Sequence, residues 1–359
     1  MGFDIVIGNP PYIDSETMVK IMPDLRNQYT KSYNATSGNW DMFIAFIELG
    51  IHLLKNDGVF SNIVPNKLIA AKYGVELRDI LSKKDIIEIR DYSRIDVFAT
   101  AAVYPITIIF RNGDYRGKTS FTVMGDIKNV RQTQAIASNI INNHAYWDVF
   151  FVDERRFKII EKINRFHRLS EMPIDILGAA TVADAYEIKD MVKELNEDDA
   201  KGFKLINSGT IDPYMPLWGI KPCRYIKGCY IKPIVPHNML RKYSEMRYRQ
   251  SISPKIIIAS MTTRYEACID LHGEYIAGKS TTILLGDVPM LYFLVSVINS
   301  KLASFWLNII FNSLKMSGGA INIGRNEIQM LPVPNICNDF RELIDIILFK
   351  FRKFLTCLF

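Results

Sequence analysis

Four consecutive residues, Asn9-Pro10-Pro11-Tyr12, combine the groups needed to activate a weak amine. An exocyclic amine on a heteroaromatic ring is a poor nucleophile because its lone pair is delocalised into the ring. The side-chain oxygen of Asn9 and the main-chain carbonyl of Pro10, both accepting from such an amine, favour the tetrahedral nitrogen at which that lone pair becomes available. Two prolines stiffen the backbone and keep the carbonyl aimed. Tyr12 adds a π-face on which a base removed from its duplex can stack. The plainer reading of the same string is a rigid turn with a structural tyrosine, and position carries most of the weight between the two. Phe3-Asp4-Ile5-Val6-Ile7-Gly8 is a short apolar, β-branched run that ends just before Asn9. It predicts a strand buried on both faces, and ligands in open α/β sheets sit at the carboxyl ends of strands.

The elements around this string must hold it. Within residues 41–54, Phe43, Phe46, Ile47, Leu49 and Leu53 recur at helical spacing after Trp40 and Asp41, which predicts a helix with a wide apolar face. Asn56-Asp57-Gly58 is expected to stop it, with the glycine left-handed. Residues 13–38 read as a polar connection. Val59–Val64 reads as a strand ending at Pro65, Gly74–Ser82 as a helix, Ile86–Asp91 as a strand, and Val103–Phe110 as another β-rich run. Alternating strands and helices predict an α/β domain with a mainly parallel sheet. Only the second of the two βαβ halves of a doubly wound domain is visible, since no glycine-rich turn after a strand precedes Asn9. Residues 153–169 predict an amphipathic connector helix with Phe157, Ile160, Ile163 and Phe166 on one face. Short β runs split by Gly, Pro and Asn fill 175–290. Leu291–Phe311 reads as one apolar helix, and Phe340–Phe359 as a last helix packed on the rest.

Taken in order along the chain, these strings resemble a known family. Phe3–Tyr12 resembles motif IV of the S-adenosylmethionine-dependent amino-methyltransferases that modify adenine N6 in DNA. Residues 41–70 (DMFIAFIELGIHLLKNDGVFSNIVPNKLIA) resemble the stretch that follows motif IV in the γ class, and residues 96–110 (DVFATAAVYPITIIF) resemble motif VIII. The second half is similar to the TaqI-like C-terminal specificity domain of restriction–modification methyltransferases, through LINSGTIDPY (205–214), KIIIASMTTRYEACID (255–270), INSKLASFWL (298–307) and GGAINIGRNEIQMLPVP (318–334). Several weak strings in the right order are more specific than any one alone.

The resemblance implies that Asn9 and the Pro10 carbonyl bind the adenine amine and that Tyr12 and Phe98 clamp the flipped base. It implies a partial Rossmann-like methyltransferase sheet, second half only, at 1–150, then a connector helix at 151–172. An α+β target-recognition domain at 173–335 and a C-terminal helix at 336–359 would follow. The family's methyl-donor motif and the acidic residue after the next strand lie ahead of motif IV and are absent from this chain. It therefore looks like a type IIG-like enzyme cut at motif IV. The expectation is a site-specific adenine methyltransferase portion that is inactive alone and binds S-adenosylmethionine weakly or not at all. A missing N-terminal methyltransferase or nuclease portion would be its partner. The alternative is a non-catalytic DNA-binding specificity module; activity on RNA or on protein glutamine is a further option.

Charge agrees with a polyanion partner. The 359 residues carry a net +6. Residues 221–255 hold nine cations against one acid, Glu245, a net +8, so the rest of the chain is at −2. Cations neutralise phosphates without reading sequence, whereas Arg at a groove can read base edges. Arg224, Lys227, Lys232, Arg241, Lys242, Arg247 and Arg249, extended by Arg264, are the expected contacts to double-stranded DNA; a solvated face is the bland alternative. Asp175 with Glu187 and Lys189 imitates a metal-nuclease pattern without the preceding core strands. Five cysteines without a CxxC pair and five scattered histidines signal neither a disulfide framework nor a metal site. With no signal-peptide pattern and no apolar run of about 18 residues, no membrane is expected, and a cytoplasmic setting fits.

Overall fold

The computed structural model describes residues 2–334 except 96, 99–103, 115–116, 197–201 and 317, so the helix expected at 336–359 lies outside the described residues. The chain divides into two units, Met1–Ile160 with Ile309–Leu314 and Glu161–Asn308 with Lys315–Phe359.

In the first unit the elements run β1 (Phe3–Gly8), α1 (Ser15–Ile21), α2 (Pro23–Ser32), α3 (Phe43–Leu53), β2 (Leu54–Pro65), α4 (Lys67–Ala70), α5 (Val75–Ser82), β3 (Asp85–Asp91), β4 (Pro105–Arg111), β5 (Lys118–Met124), β6 (Val130–Ala137) and α6 (Ser138–Ile141). The strands form one sheet in the order β1-β2-β4-β3-β5-β6. Only β1–β2 and β3–β5 pair in parallel; β4 runs antiparallel to both neighbours, and β6 to β5. The expected mainly parallel sheet is thus mixed, because an apolar run does not encode its own direction. β1 also departs from expectation. Bordered by β2 alone, it leaves Phe3, Ile5 and Ile7 at 60%, 62% and 77% exposure rather than buried on both faces.

Helix α3 closes over the sheet through Phe43, Ile44, Ile47 and Ile51. Gly50 lets it approach: a Cβ there would lie 2.1 Å from a ring carbon of Phe60, which itself stacks on Phe110 at 4.6 Å. After α3 the left-handed residue is Asp57 (φ 63°), not Gly58. Gly58 serves a close approach instead, since its Cβ would meet the Phe3 carbonyl at 2.8 Å. The connection at 13–38 contains α1, capped by Asp14 accepting from the Thr17 N–H at 2.7 Å, and α2, opened by Pro23.

Helix α7 (Glu154–Ile163) is shorter than the periodicity predicted. The second unit then carries β7 (His167–Arg168), β8 (Asp175–Gly178), α8 (Val182–Met191), β9 (Lys193–Glu194), β10 (Gly202–Ile206), β11 (Ile211–Asp212), β12 (Met215–Pro216), β13 (Cys223–Tyr225), β14 (Gly228–Tyr230), β15 (Pro233–Pro236), α9 (His237–Tyr243), α10 (Glu245–Ile252), β16 (Lys255–Ala259), β17 (Met261–Thr262), β18 (Ala267–Asp270), β19 (Tyr275–Ala277), β20 (Thr281–Leu285), α11 (Val288–Ile298) and α12 (Lys301–Ile310). Its two four-stranded sheets have the orders β19-β10-β15-β9 and β18-β16-β20-β8. One core gathers Ala185, Phe203, Val235 and Leu240, the other Ile206, Ile257, Cys268 and Ile283. The single helix expected at 291–311 is two helices meeting at 61°. The Asn299 amide breaks it by pairing with both the N–H and the carbonyl of Ala267, each at 2.9 Å, while Ser300 caps α12 through the Ala303 N–H. Among the described residues no single helix is long and apolar enough to cross a membrane.

Candidate functional site

The string Asn9–Tyr12 leaves the carboxyl end of β1, with Asn9 exposed and Pro10 buried. Three contacts fix the loop. The Tyr12 hydroxyl donates to the Ile63 carbonyl in β2 at 3.0 Å. The Met42 N–H donates to the Ile13 carbonyl at 2.9 Å. The Ser15 N–H donates to the Asp41 carboxylate at 3.1 Å, and that carboxylate also takes the Tyr73 hydroxyl at 2.6 Å. Backbone aim is therefore set by β2 and the approach to α3. Burial pushes the Tyr12 phenol up to about 12, so the group is a neutral donor over the ordinary pH range.

Phe98, 86 residues further on, lies beside Tyr12 with ring centroids 6.0 Å apart and planes at 77°. The two residues expected to clamp a base are thus together, but edge to face. A base between parallel rings needs roughly 7 Å, two stacking layers of about 3.4 Å each, so one ring must turn to admit it.

Sequence reasoning missed Asn62. It is buried, and its Oδ1 has no hydrogen-bond partner among the described residues. Asn62 pairs in register with Gly8, and a Cβ at position 8 would lie 2.9 Å from that oxygen. Gly8 is therefore the residue that lets an amide sit beneath the turn into Asn9. The available signal was a polar residue inside the apolar run Val59–Val64.

The cationic stretch separates into surface and interior. Arg224 and Lys227 are exposed on the β13–β14 hairpin, and Lys232 and Lys242 are exposed as well. Arg241 and Arg249 share Glu245 at 3.2 and 3.1 Å, and Arg264 bridges Asp212 and Glu266 at 3.1 and 3.2 Å. Arg247 does not belong with them. Its side chain is 7% exposed, with Nη2 2.6 Å from Asp184, and Nη1 donates to Gly178 and Gln250. Burial works against the Asp184 charge, but the Thr181 N–H, Arg247 and Tyr243 hold its carboxyl well below the usual range. Lys255 is also interior, 2.6 Å from Asp270. Asp175 and Glu187 stand on different elements, β8 and α8, and among the described residues no three His, Cys, Asp or Glu side chains converge as a metal site.

Residues 1–98 match the family model of the Eco57I restriction-modification methylase. The chain is similar to restriction–modification methylases of the Eco57I type. It is 27% identical over 188 residues to the type II restriction enzyme and methyltransferase RM.Eco57I of Escherichia coli, covering 52% of this chain and 18% of that protein. To RM.MjaORFECS2P of Methanocaldococcus jannaschii it is 25% identical over 322 residues, covering 85% of this chain and 25% of that protein. The chain thus spans a quarter or less of these two curated relatives. In fold it is similar to a nuclease-deletion mutant of the Type ISP restriction-modification enzyme LlaGI, with a TM-score of 0.51 at 12% identity, covering 96% of this chain and 41% of that one.

Proposed function

We propose that the first unit is the target-base portion of an S-adenosylmethionine-dependent DNA adenine-N6 methyltransferase and that the second unit is its target-recognition domain. The observation that carries this reading is the pairing of Tyr12 with Phe98 beside a strand-end Asn-Pro-Pro-Tyr loop, in a chain whose first 98 residues match a restriction–modification methylase family. The order β1-β2-β4-β3, with the antiparallel β4 inserted between its neighbours, supports the second half of a Rossmann-like methyltransferase sheet.

In this reading a flipped adenine stacks between Tyr12 and Phe98. Asn9 Oδ1 and the Pro10 carbonyl accept from its amine and draw the nitrogen towards tetrahedral geometry, so that the lone pair points out of the ring plane. S-adenosylmethionine supplies an electrophilic methyl group when bound. The amine proton leaves to solvent after transfer, and Tyr12, neutral up to about pH 12 and engaged with Ile63, is not the base. Of the residues that would hold the methyl donor, this sequence offers only the mouth at Asn9-Pro10. The glycine-rich turn and the acidic residue are not among these 359 residues, and in this reading the remaining methyl-donor contacts come from a portion of the enzyme outside them.

Complementation tests this. The chain is mixed with a polypeptide carrying a glycine-rich cofactor motif, and transfer of labelled methyl groups to adenine in double-stranded DNA is measured. Regained transfer that Asn9→Ala lowers a hundredfold or more supports the enzyme. DNA binding without transfer supports the inert specificity module instead. Micromolar binding of S-adenosylmethionine to the chain alone, by calorimetry, refutes the division of the site.

A further inference from the structure

The loop Leu217–Pro222 of the second unit holds an isoleucine outward. Ile220 is 71% exposed, more than any other large apolar side chain of that unit among the described residues. The loop beneath it is firmly built. The Leu217 N–H donates to Thr210 at 2.9 Å, Gly219 to Ile231 at 3.0 Å, Ile220 to Leu217 at 3.1 Å and Lys221 to Leu217 at 2.9 Å. The Trp218 indole N–H donates to the Pro233 carbonyl at 2.8 Å. Gly219 sits at φ +78°, where a side chain is strained, so the turn that projects its neighbour is specified by sequence.

Cations surround this apolar tip. Lys221 follows it directly, and the Lys232 stem lies 3.6 Å from where a Cβ at Gly219 would be. No carboxylate pairs with either ammonium group among the described residues. The nearby acid, Glu194, accepts instead from the N–H groups of Ile231 and Lys232. Ile231, 46% exposed, adds apolar surface beside Gly219. An apolar projection flanked by two lysines without a carboxylate partner among the described residues suits a polyanionic surface that also offers apolar contacts. It matches a nucleic-acid groove, where lysines reach phosphates and an apolar side chain meets thymine methyl groups or wedges a base step.

We propose that Ile220 is an apolar tooth that enters a groove of double-stranded DNA and contacts base edges, with Lys221 and Lys232 on the flanking phosphates. This rests on the reading of the second unit as a target-recognition domain, and it assigns base reading to a residue outside the charged set.

The test uses the full chain and a pool of randomised 30-bp duplexes, with bound sequences read out and affinities then measured on an enriched duplex across a salt series. Ile220→Ser is expected to lower affinity for the enriched duplex roughly tenfold, to erase base preference at one or two adjacent positions, and to leave the slope of log affinity against log salt unchanged. Lys221→Ala and Lys232→Ala are expected to reduce that slope by about 1 each and to keep the preference. Ile220→Leu restores preference. Because Ile220 is exposed, an unchanged melting temperature accompanies all of these results. Wild-type preference in Ile220→Ser, or an equal loss on every sequence, overturns the proposal while leaving DNA binding by the unit intact. Absence of duplex binding by the unsubstituted chain overturns the reading of the unit itself.

Discussion

Tyr12 carries two roles that different substitutions separate: its ring faces Phe98, and its hydroxyl ties the loop to β2. In the complemented enzyme, Tyr12→Phe keeps the ring and loses one hydrogen bond, about 1 kcal/mol, and a drop of only a few-fold in kcat/KM is expected. Tyr12→Ala removes the stacking face and is expected to cost far more. Equal effects of the two would place the function in the hydroxyl. Gly8→Ala must displace the Asn62 amide from beneath the loop, so it is expected to lower kcat while leaving duplex affinity unchanged. The placement of Asn9–Tyr12 at the end of a strand was legible because the string is contiguous and follows a readable apolar run. Asn62 was not, because its role depends on the Gly8–Asn62 register between two strands. Arg247 looked like a surface cation for the same reason: Asp184, the carboxylate that pairs with it, lies 63 residues away.

Elements in the second unit are tied by polar groups that hydrophobic patterning does not report. Lys255 and Asp270 face each other across β16 and β18, both almost fully buried, and the ammonium also donates to the Ser251 carbonyl at 2.6 Å. Lys255→Ala leaves an uncompensated carboxylate in the core, and a loss of about 3–5 kcal/mol is expected by denaturant unfolding. Lys255→Met with Asp270→Leu should recover most of it. In the first unit Asp148 is buried and accepts from the Ser313 N–H and hydroxyl. Burial pushes its carboxyl up to about 7, against the lowering effect of Ser313. The folded state therefore holds this proton more tightly than the unfolded chain. Its contribution is full below about pH 4 and is lost as the pH rises to about 7, with a slope of up to roughly 1.4 kcal/mol per pH unit. Asp148→Asn is expected to flatten that decline; an unchanged slope in a pH series of melts would count against it. Long periodic segments such as α3 were legible, as were the apolar cores of β2 and β3. The break at Asn299 was not, because it answers to a strand distant in sequence, and β6 was not, because its residues are largely polar and exposed.

At the scale of the molecule, the cationic stretch at 221–255 and the exposed apolar strand β1 lie in different units. Of the nine cations at 221–255, Arg247 and Lys255 are paired in the interior, which leaves seven on the surface against Glu245. Polyanion binding should therefore track those seven. The other feature is β1, whose outer edge has no strand partner among the described residues while Phe3, Ile5 and Ile7 lie exposed. An apolar edge strand presents unmatched N–H and carbonyl groups along with its side chains, and it recruits whatever strand is available. In the proposed enzyme that strand belongs to the cofactor-binding portion; without it, another copy of the chain is the nearest substitute. Sedimentation velocity is expected to show self-association at micromolar concentration. Ile5→Lys should suppress it, since a charge on an edge blocks pairing at little cost to a residue already in water. The complementing polypeptide should suppress it too, by occupying the same edge. A chain that stays monomeric at a hundred micromolar and gains nothing from either change would show that β1 is not a pairing edge, and the divided-sheet reading would fall with it.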